Sequence, residues 1–275
     1  MMTAAPALRA GVASGDYSLS LSNLWDFTGT YSADVDGVTF VTTVSVSPSG
    51  KISGSGTASG TYEYVYKGNT YPVGVTADIT SISGTVSGSG STVRANLTKL
   101  TLKGTGTVET IYDLTNLMAT ASETLELDTN TLALVGSAKA SFSATASNPP
   151  KPSLKHVSFS ISDKDITTDL PAGATGLWTL TLNDVAVTNK TKYVGGGTLV
   201  TSNASDTNTV PLTLTGSFNT KTELSTFALK GQGADSAVSV SLTGEATTNT
   251  LGGNALILKS LTAKAFGQTV KVTAP

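Results

Sequence analysis

The alternation that decides the fold is clearest in residues 137–147, which read Ser-Ala-Lys-Ala-Ser-Phe-Ser-Ala-Thr-Ala-Ser. Every second residue is apolar, and the residues between them are serine, threonine or lysine. A period of two places the apolar side chains on one face of a strand and the polar ones on the other. This pattern is typical of half-buried strands in antiparallel sheets. Residues 157–162, 179–183 and 238–243 repeat it.

Turn-forming residues separate these alternating runs, for example at 48–50, 128–130 and 252–254. The best candidate for a helix, residues 111–126, is short and contains several threonines, which are poor helix formers. We therefore predict an all-β protein. It should be an antiparallel meander of many short strands, each of about 6–12 residues, that form sandwich- or barrel-like units.

A proline cluster near the middle of the chain, Asn-Pro-Pro-Lys-Pro-Ser at 148–153, interrupts the pattern. Proline removes ladder donors and stiffens the backbone, so this segment is predicted to be a linker or a crossing loop. The predicted division is a flexible N-terminal lead-in with an edge strand (1–22), a first β unit (23–147), the linker (148–153) and a second β unit (154–275).

Two segments suggest that one β unit is repeated twice. Residues 98–106 read Thr-Lys-Leu-Thr-Leu-Lys-Gly-Thr-Gly, and residues 225–233 read Ser-Thr-Phe-Ala-Leu-Lys-Gly-Gln-Gly. Both are strand-like and both end in Leu-Lys-Gly-x-Gly. Because chains rich in serine, threonine and glycine produce such matches by chance, the similarity indicates a repeat without establishing it.

Composition narrows the classes of function. The chain of 275 residues has no cysteine, only 13 % charged residues and a net charge of −2. Few charges and many hydroxyl groups favour an extracellular or cell-surface location. Nucleic-acid binding needs clusters of lysine and arginine, and the sequence contains no such cluster. No apolar run approaches the roughly 20 residues of a membrane helix. A barrel of the outer-membrane type would carry aromatic girdles, and aromatic residues make up only 6 % of the chain.

The sequence contains little that could carry catalysis or hold a metal. His156 is the only histidine and is not accompanied by a Gly-x-Ser-x-Gly motif. Asp34 with Asp36, and Asp163 with Asp165, could contribute to a Ca²⁺ site, but each pair supplies too few of the six to eight oxygens that Ca²⁺ takes. We expect no enzyme activity, no cofactor and no metal. A hydrolase with two carboxylates is the third-ranked class, and no spacing supports it.

Half of the eight tyrosines lie in residues 62–71, Tyr-Glu-Tyr-Val-Tyr-Lys-Gly-Asn-Thr-Tyr. If Gly68-Asn69 forms a two-residue turn, the side chains of Tyr62, Tyr64, Tyr66 and Tyr71 share one face of a hairpin. An exposed row of tyrosines could stack on sugar rings, which gives a carbohydrate-binding β module as the alternative function, with a polysaccharide as partner. The charged residues on the opposite face favour burial of the tyrosines instead.

The main functional hypothesis rests on strand edges. Residues 17–21 alternate, with Tyr17, Leu19 and Leu21 on one face, and they follow a segment rich in glycine and serine. Strands with few charges are poorly protected against pairing with another chain. We therefore expect a non-enzymatic structural protein of the cell exterior that self-associates through this strand, such as a filament subunit, a surface-layer component or an adhesin stalk.

Overall fold

The fold is taken from a computed structural model of the chain. It describes residues 11–89, 92–109, 112–147, 155–171, 174, 176–189, 191–202, 207–248 and 254–274. Within these residues there are sixteen β-strands and one short 3₁₀ turn, Gly233–Asp235. The all-β antiparallel fold predicted from the alternation is confirmed. In this part of the chain, no helix is long and apolar enough to cross a membrane.

The strands follow one another along the chain with mostly short connections. They are β1 (Gly15–Leu21), β2 (Gly29–Val35), β3 (Val38–Val46), β4 (Lys51–Tyr66), β5 (Asn69–Ser89), β6 (Thr92–Val108), β7 (Tyr112–Asp128), β8 (Ala133–Ser147), β9 (Lys155–Asp169), β10 (Trp178–Thr188), β11 (Lys192–Ser202), β12 (Thr207–Asn219), β13 (Leu224–Gly231), β14 (Ser239–Thr248), β15 (Asn254–Ala265) and β16 (Gln268–Thr273).

The chain divides into two compact units. One, here called the terminal unit, comprises Met1–Asp26 and Thr175–Pro275; the other, called the insert unit, comprises Phe27–Ala174. This division differs from the one expected from the sequence, because β8 and β9, which flank the proline cluster, pair with each other within the insert unit. The cluster itself, residues 148–153, lies outside the described residues. Within the described residues each unit contains eight strands, and the two Leu-Lys-Gly-x-Gly segments begin in the fifth of these strands in their respective units.

The terminal unit is an antiparallel sheet in the order β1-β10-β11-β12-β13-β14-β15-β16. Its core is filled with fully buried side chains, including Trp178, whose ring lies 4.6 Å from that of Phe266. The segment after β1 reaches the start of β16. There the backbone N–H of Trp25 donates to the side-chain oxygen of Gln268 (2.8 Å), and the Gln268 amide donates to the carbonyl of Trp25 (2.7 Å). Gln268 therefore ties the two ends of this sheet together.

The insert unit is a simple meander in which β2 to β9 lie in sequence order, each antiparallel to the next. The sheet curls until β9 lies beside β2, where the hydroxyl of Thr168 donates to the carbonyl of Ser32 (3.1 Å). Among the described residues, β2 has a backbone ladder only with β3. The curled sheet is thus joined along this seam by side chains and not by a ladder.

Several strands of the insert unit are longer than the sequence suggested, and β5 has 21 residues. The reason is that glycine–serine segments resembling turns lie within strands. A Cβ on Gly54 would clash with the carbonyl oxygen of Thr43 on β3, and one on Gly56 with the carbonyl oxygen of Val41. The register between β4 and β5 also shifts between these glycines. Here glycine permits a bulge and close strand contact instead of ending the strand.

Candidate functional site

The interior of the insert unit contains a cavity of about 60 Å³ that is partly open to the surface. All eight strands of the unit contribute to its lining. Most of the lining side chains are apolar, and they include Phe27, Val44, Ile52, Ile82, Leu134 and Ile166. A concave, mainly apolar site with few polar groups is the usual form of a small-molecule site.

Among the described residues, Glu123 on β7 supplies the one carboxylate that lines this cavity. Burial raises the pKa of its carboxyl above the usual value of 4.5. Among the described residues, no hydrogen-bond donor or basic side chain contacts the carboxylate, and no lysine, arginine or histidine lines the cavity. Glu123 is half-buried, and a carboxylate that loses part of its hydration without gaining a partner is costly. Such a group commonly marks a functional site.

The sequence places Glu123 in the interior through the alternation of β7. The residues Ala119, Ala121, Leu125 and Leu127 point to the inside of the sheet, and Glu123 shares their parity. A break in the ladder with β8 between Thr115 and Met118 sets this phase. Sequence reasoning missed Glu123 because this segment was considered as a weak helical candidate. The signal that could have found it is a single glutamate within an otherwise apolar inward row.

Two smaller cavities, of about 20 and 10 Å³, continue the interior beyond the first one. The side chain of Phe40 lines all three. The middle cavity is bordered by the small side chains of Ala121, Ala138 and Ala140, and by Glu123. The interior of the insert unit is therefore a narrow, loosely filled lumen, and Phe40 is common to its three cavities.

Asp163 on β9 supplies a second carboxylate to the middle cavity. Glu123 lies opposite Ala138 on β8, and Ala138 lies opposite Asp163. Since neighbouring strands lie about 4.8 Å apart, the Cα atoms of the two acids are about 10 Å apart across the alanine. Asp163 differs from Glu123 because its carboxylate accepts a hydrogen bond from the backbone N–H of Asp165 (2.9 Å). Among the residues that the structure describes, the two ionisable groups at this part of the lumen are both acids.

The other polar groups near the main cavity include two that are bound to the protein. The hydroxyl of Tyr31 donates to the carbonyl of Phe27 (2.7 Å), and that of Thr168 to the carbonyl of Ser32 (3.1 Å). Both hydroxyls therefore have acceptors within the protein, whereas the structure gives none of the described residues as a partner of the Glu123 carboxylate.

Comparison with known protein families, with curated protein sequences and with solved structures finds no match to this chain. The function therefore has to be argued from the geometry of the site.

The tyrosine hairpin forms, with a turn one residue earlier than expected. Lys67 and Gly68 both have positive φ, of 50° and 82°, as a type I′ turn requires. Tyr64 consequently lies opposite Tyr71, and Tyr62 opposite Val73. Tyr62, Tyr64 and Tyr71 are half-buried, on the same face as the buried Val73, and Tyr62 lines the smallest cavity. The side chain of Tyr66 lies outside the description, and sugar binding by these residues stays a prediction.

The strand predicted for assembly is β1, which pairs antiparallel with β10 of the same chain. Tyr17 and Leu21 are buried and Leu19 is half-buried, so these side chains contribute to the core of the terminal unit. The hydroxyl of Tyr17 also donates to the carbonyl of Ala13 (2.7 Å). Self-association through this strand stays a prediction, and it would have to use the backbone edge.

The first aspartate pair lies at the turn between β2 and β3, whereas Asp163 and Asp165 lie within β9. The carboxylate of Asp34 accepts hydrogen bonds from the N–H of Gly37 (3.1 Å) and the hydroxyl of Thr39 (3.3 Å). In the part of the chain that the structure describes, no group of three histidine, cysteine or acidic side chains is placed to hold a metal ion. The backbone of His156 lies in β9, opposite Thr145.

Proposed function

We propose that the insert unit is a non-enzymatic binding module that holds a small, mainly apolar ligand inside its curled sheet. The observation that carries this proposal is the cavity of about 60 Å³, lined by apolar side chains from all eight strands and bordered by Glu123. At roughly 10–15 Å³ for each water-sized sphere, this space suits a chain of about four to six heavy atoms. A slender alkyl chain fits such a lumen better than a ring system.

The expected affinity follows from the apolar surface that the ligand would bury. At about 0.8 kcal/mol for each CH₂ group, a six-carbon chain gains about 5 kcal/mol on leaving water. That free energy corresponds to a Kd of about 0.2 mM. n-Hexanol, which is neutral and soluble at several millimolar, is therefore a suitable probe.

The binding test uses isoleucine methyl groups as local reporters in NMR. Ile52, Ile82 and Ile166 line the cavity, whereas Ile257 is exposed in the terminal unit. n-Hexanol should shift the methyl resonances of the three lining residues in a saturable way and leave Ile257 unchanged. If all four shift alike, or none shifts at saturation of the probe, the proposal is wrong.

A cavity-filling variant provides the second arm. Ala95 is buried and lines the cavity, so Ala95→Leu should occupy part of the space and weaken n-hexanol binding by at least fivefold. Ala228→Leu adds the same atoms at an exposed position on β13 and should bind n-hexanol as the wild type does. Equal binding by both variants would show that the probe binds elsewhere.

A second function, self-association at the cell exterior, is supported by the position of β1. This strand is the first in the order of its unit and has a ladder with β10 only, among the described residues, so its other edge carries unladdered backbone groups. Such an edge can pair with another chain. The absence of cysteine and the low charge of the chain support an extracellular or cell-surface location for the assembly.

Lysine substitutions test the edge. Ser18 and Ser20 are exposed on β1, and charged side chains on an edge strand oppose pairing. Light scattering over a wide concentration range should show larger species for the wild type and a monomer for Ser18→Lys/Ser20→Lys. Thr215→Lys, exposed on β12 between two strands, is the control and should still assemble. A wild-type protein that stays monomeric at high concentration would refute this function.

A further inference from the structure

The charge of the ligand can be inferred from the ionisable groups of the lumen. Glu123 lines its first two cavities and Asp163 the second, and among the residues whose side chains the structure describes no lysine, arginine or histidine lines any of the three. Inside a protein the effective dielectric constant is low, so an uncompensated negative charge there attracts cations more strongly than it would in water. The lumen therefore favours a positively charged group at Glu123 and disfavours an anion.

From this arrangement we infer that the ligand is a primary alkylamine, bound as its ammonium ion, with the ammonium at the carboxylate of Glu123 and the alkyl chain in the apolar cavity. This inference rests on the proposed binding function and adds the chemical class of the ligand.

Three observations fit an ammonium ion at this position. The carboxylate of Glu123 has no partner among the described residues, so both of its oxygens can accept hydrogen bonds. An ammonium group offers three donors and a compact charge, which pair well with a carboxylate. Burial also raises the pKa of this carboxyl because the charged form loses hydration, and a paired ammonium ion would compensate that charge.

The same observations disfavour a metal ion as the cation. Calcium takes six to eight oxygen ligands, and the lumen around Glu123 is bordered mainly by alanine, leucine and phenylalanine side chains. An amine needs only one carboxylate and brings its own apolar chain. The partly open cavity next to Glu123 then accommodates about four to six atoms of that chain.

The test compares three probes of equal chain length: n-hexylamine, n-hexanol and n-hexanoate. In the wild-type protein, n-hexylamine should bind at least tenfold more tightly than n-hexanol, and n-hexanoate more weakly than either. Glu123→Gln keeps the size of the side chain and removes the charge, so the ratio between the n-hexylamine and n-hexanol affinities should fall to about one. Glu63→Gln removes a carboxylate on the exposed face of β4 and should preserve the preference.

The outcomes separate this inference from the binding function on which it rests. If n-hexanol binds as tightly as n-hexylamine in the wild type, or if Glu123→Gln leaves the preference intact, the amine inference is overturned and the binding function stands. If no probe binds, both are overturned. The comparison of the three probes in the wild type needs no variant, so it decides the question even if Glu123→Gln fails to fold.

Discussion

Replacement of Gln268 by methionine tests how the terminal unit is closed. Gln268 is only 2 % exposed, and its side-chain amide both accepts from and donates to the backbone of Trp25. Methionine has a similar length and no strong hydrogen-bonding group. The substitution thus leaves one backbone N–H and one backbone carbonyl without their partners.

The expected loss can be worked from these two groups. A buried polar group left unsatisfied costs about 1–3 kcal/mol. Trp25 is half-buried, so part of the cost is recovered by water, and we expect the free energy of unfolding to fall by about 2–4 kcal/mol. For a protein of this size the loss corresponds to a decrease in Tm of roughly 5–12 °C.

Urea denaturation followed by tryptophan fluorescence suits this measurement, because both tryptophans, Trp25 and Trp178, belong to the terminal unit. Gln232→Met is the matched control. Gln232 is exposed and donates to the hydroxyl of Thr213 (2.8 Å), so its replacement should change the free energy by less than about 0.5 kcal/mol. If Gln268→Met behaves like this control, the bonds to Trp25 do not hold the two ends of the sheet together and the reasoning fails.

Three further predictions concern the insert unit. Because burial raises the pKa of Glu123 above 4.5, the folded protein binds this proton more tightly than the unfolded chain, and stability falls as the pH rises through 4.5 toward the folded pKa. Thermal melts followed by circular dichroism should therefore show that the stability of Glu123→Gln relative to the wild type rises above that pH range and not below it. A difference in stability that is constant across pH would contradict this. Phe40→Ala should join the three cavities and, because Phe40 is half-buried, lower the free energy of unfolding by about 1–3 kcal/mol. In the methyl-shift assay this variant should favour n-octanol over n-hexanol. A preference that is the same as in the wild type would show that Phe40 does not divide the lumen. Gly68→Ala should lower the free energy of unfolding in urea by about 1–2 kcal/mol. Since φ is 82° at this residue and an added Cβ would meet no other atom, only backbone strain contributes. A more stable variant would refute that account.

The alternation of residues 137–147 was sufficient to predict β8 and the side of it that faces inward. In the structure Phe142, Ala144 and Ala146 are buried, while Ser137 and Ser141 are exposed. This success has a local cause, because the two faces of a strand are fixed by the backbone itself. The strand lengths were less predictable, since a glycine within the sequence permits either a turn or a close approach between strands, and only the neighbouring strand distinguishes them.

The candidate site was only partly readable in the sequence. Glu123 could have been found as the one acid among the inward-facing residues of β7. Which residues of β7 face inward became clear only from the structure, because the break in the ladder between Thr115 and Met118 shifts the alternation. Its relation to Asp163, two strands away, depends on the registers of β7, β8 and β9. Register is a property of paired strands, and no single strand contains it.

The sequence by itself determined that this protein is an all-β chain without disulfides, and it determined which residues of each strand share a face. These properties follow from the period of two, from composition and from the absence of cysteine. Only the tertiary structure decided that β2 to β9 form one unit inserted between β1 and β10, and that the sheet of this unit curls around a cavity with Glu123 at its border. The reason is that curling and closure depend on contacts between residues far apart in the chain, such as Thr168 with Ser32, which local patterns do not encode.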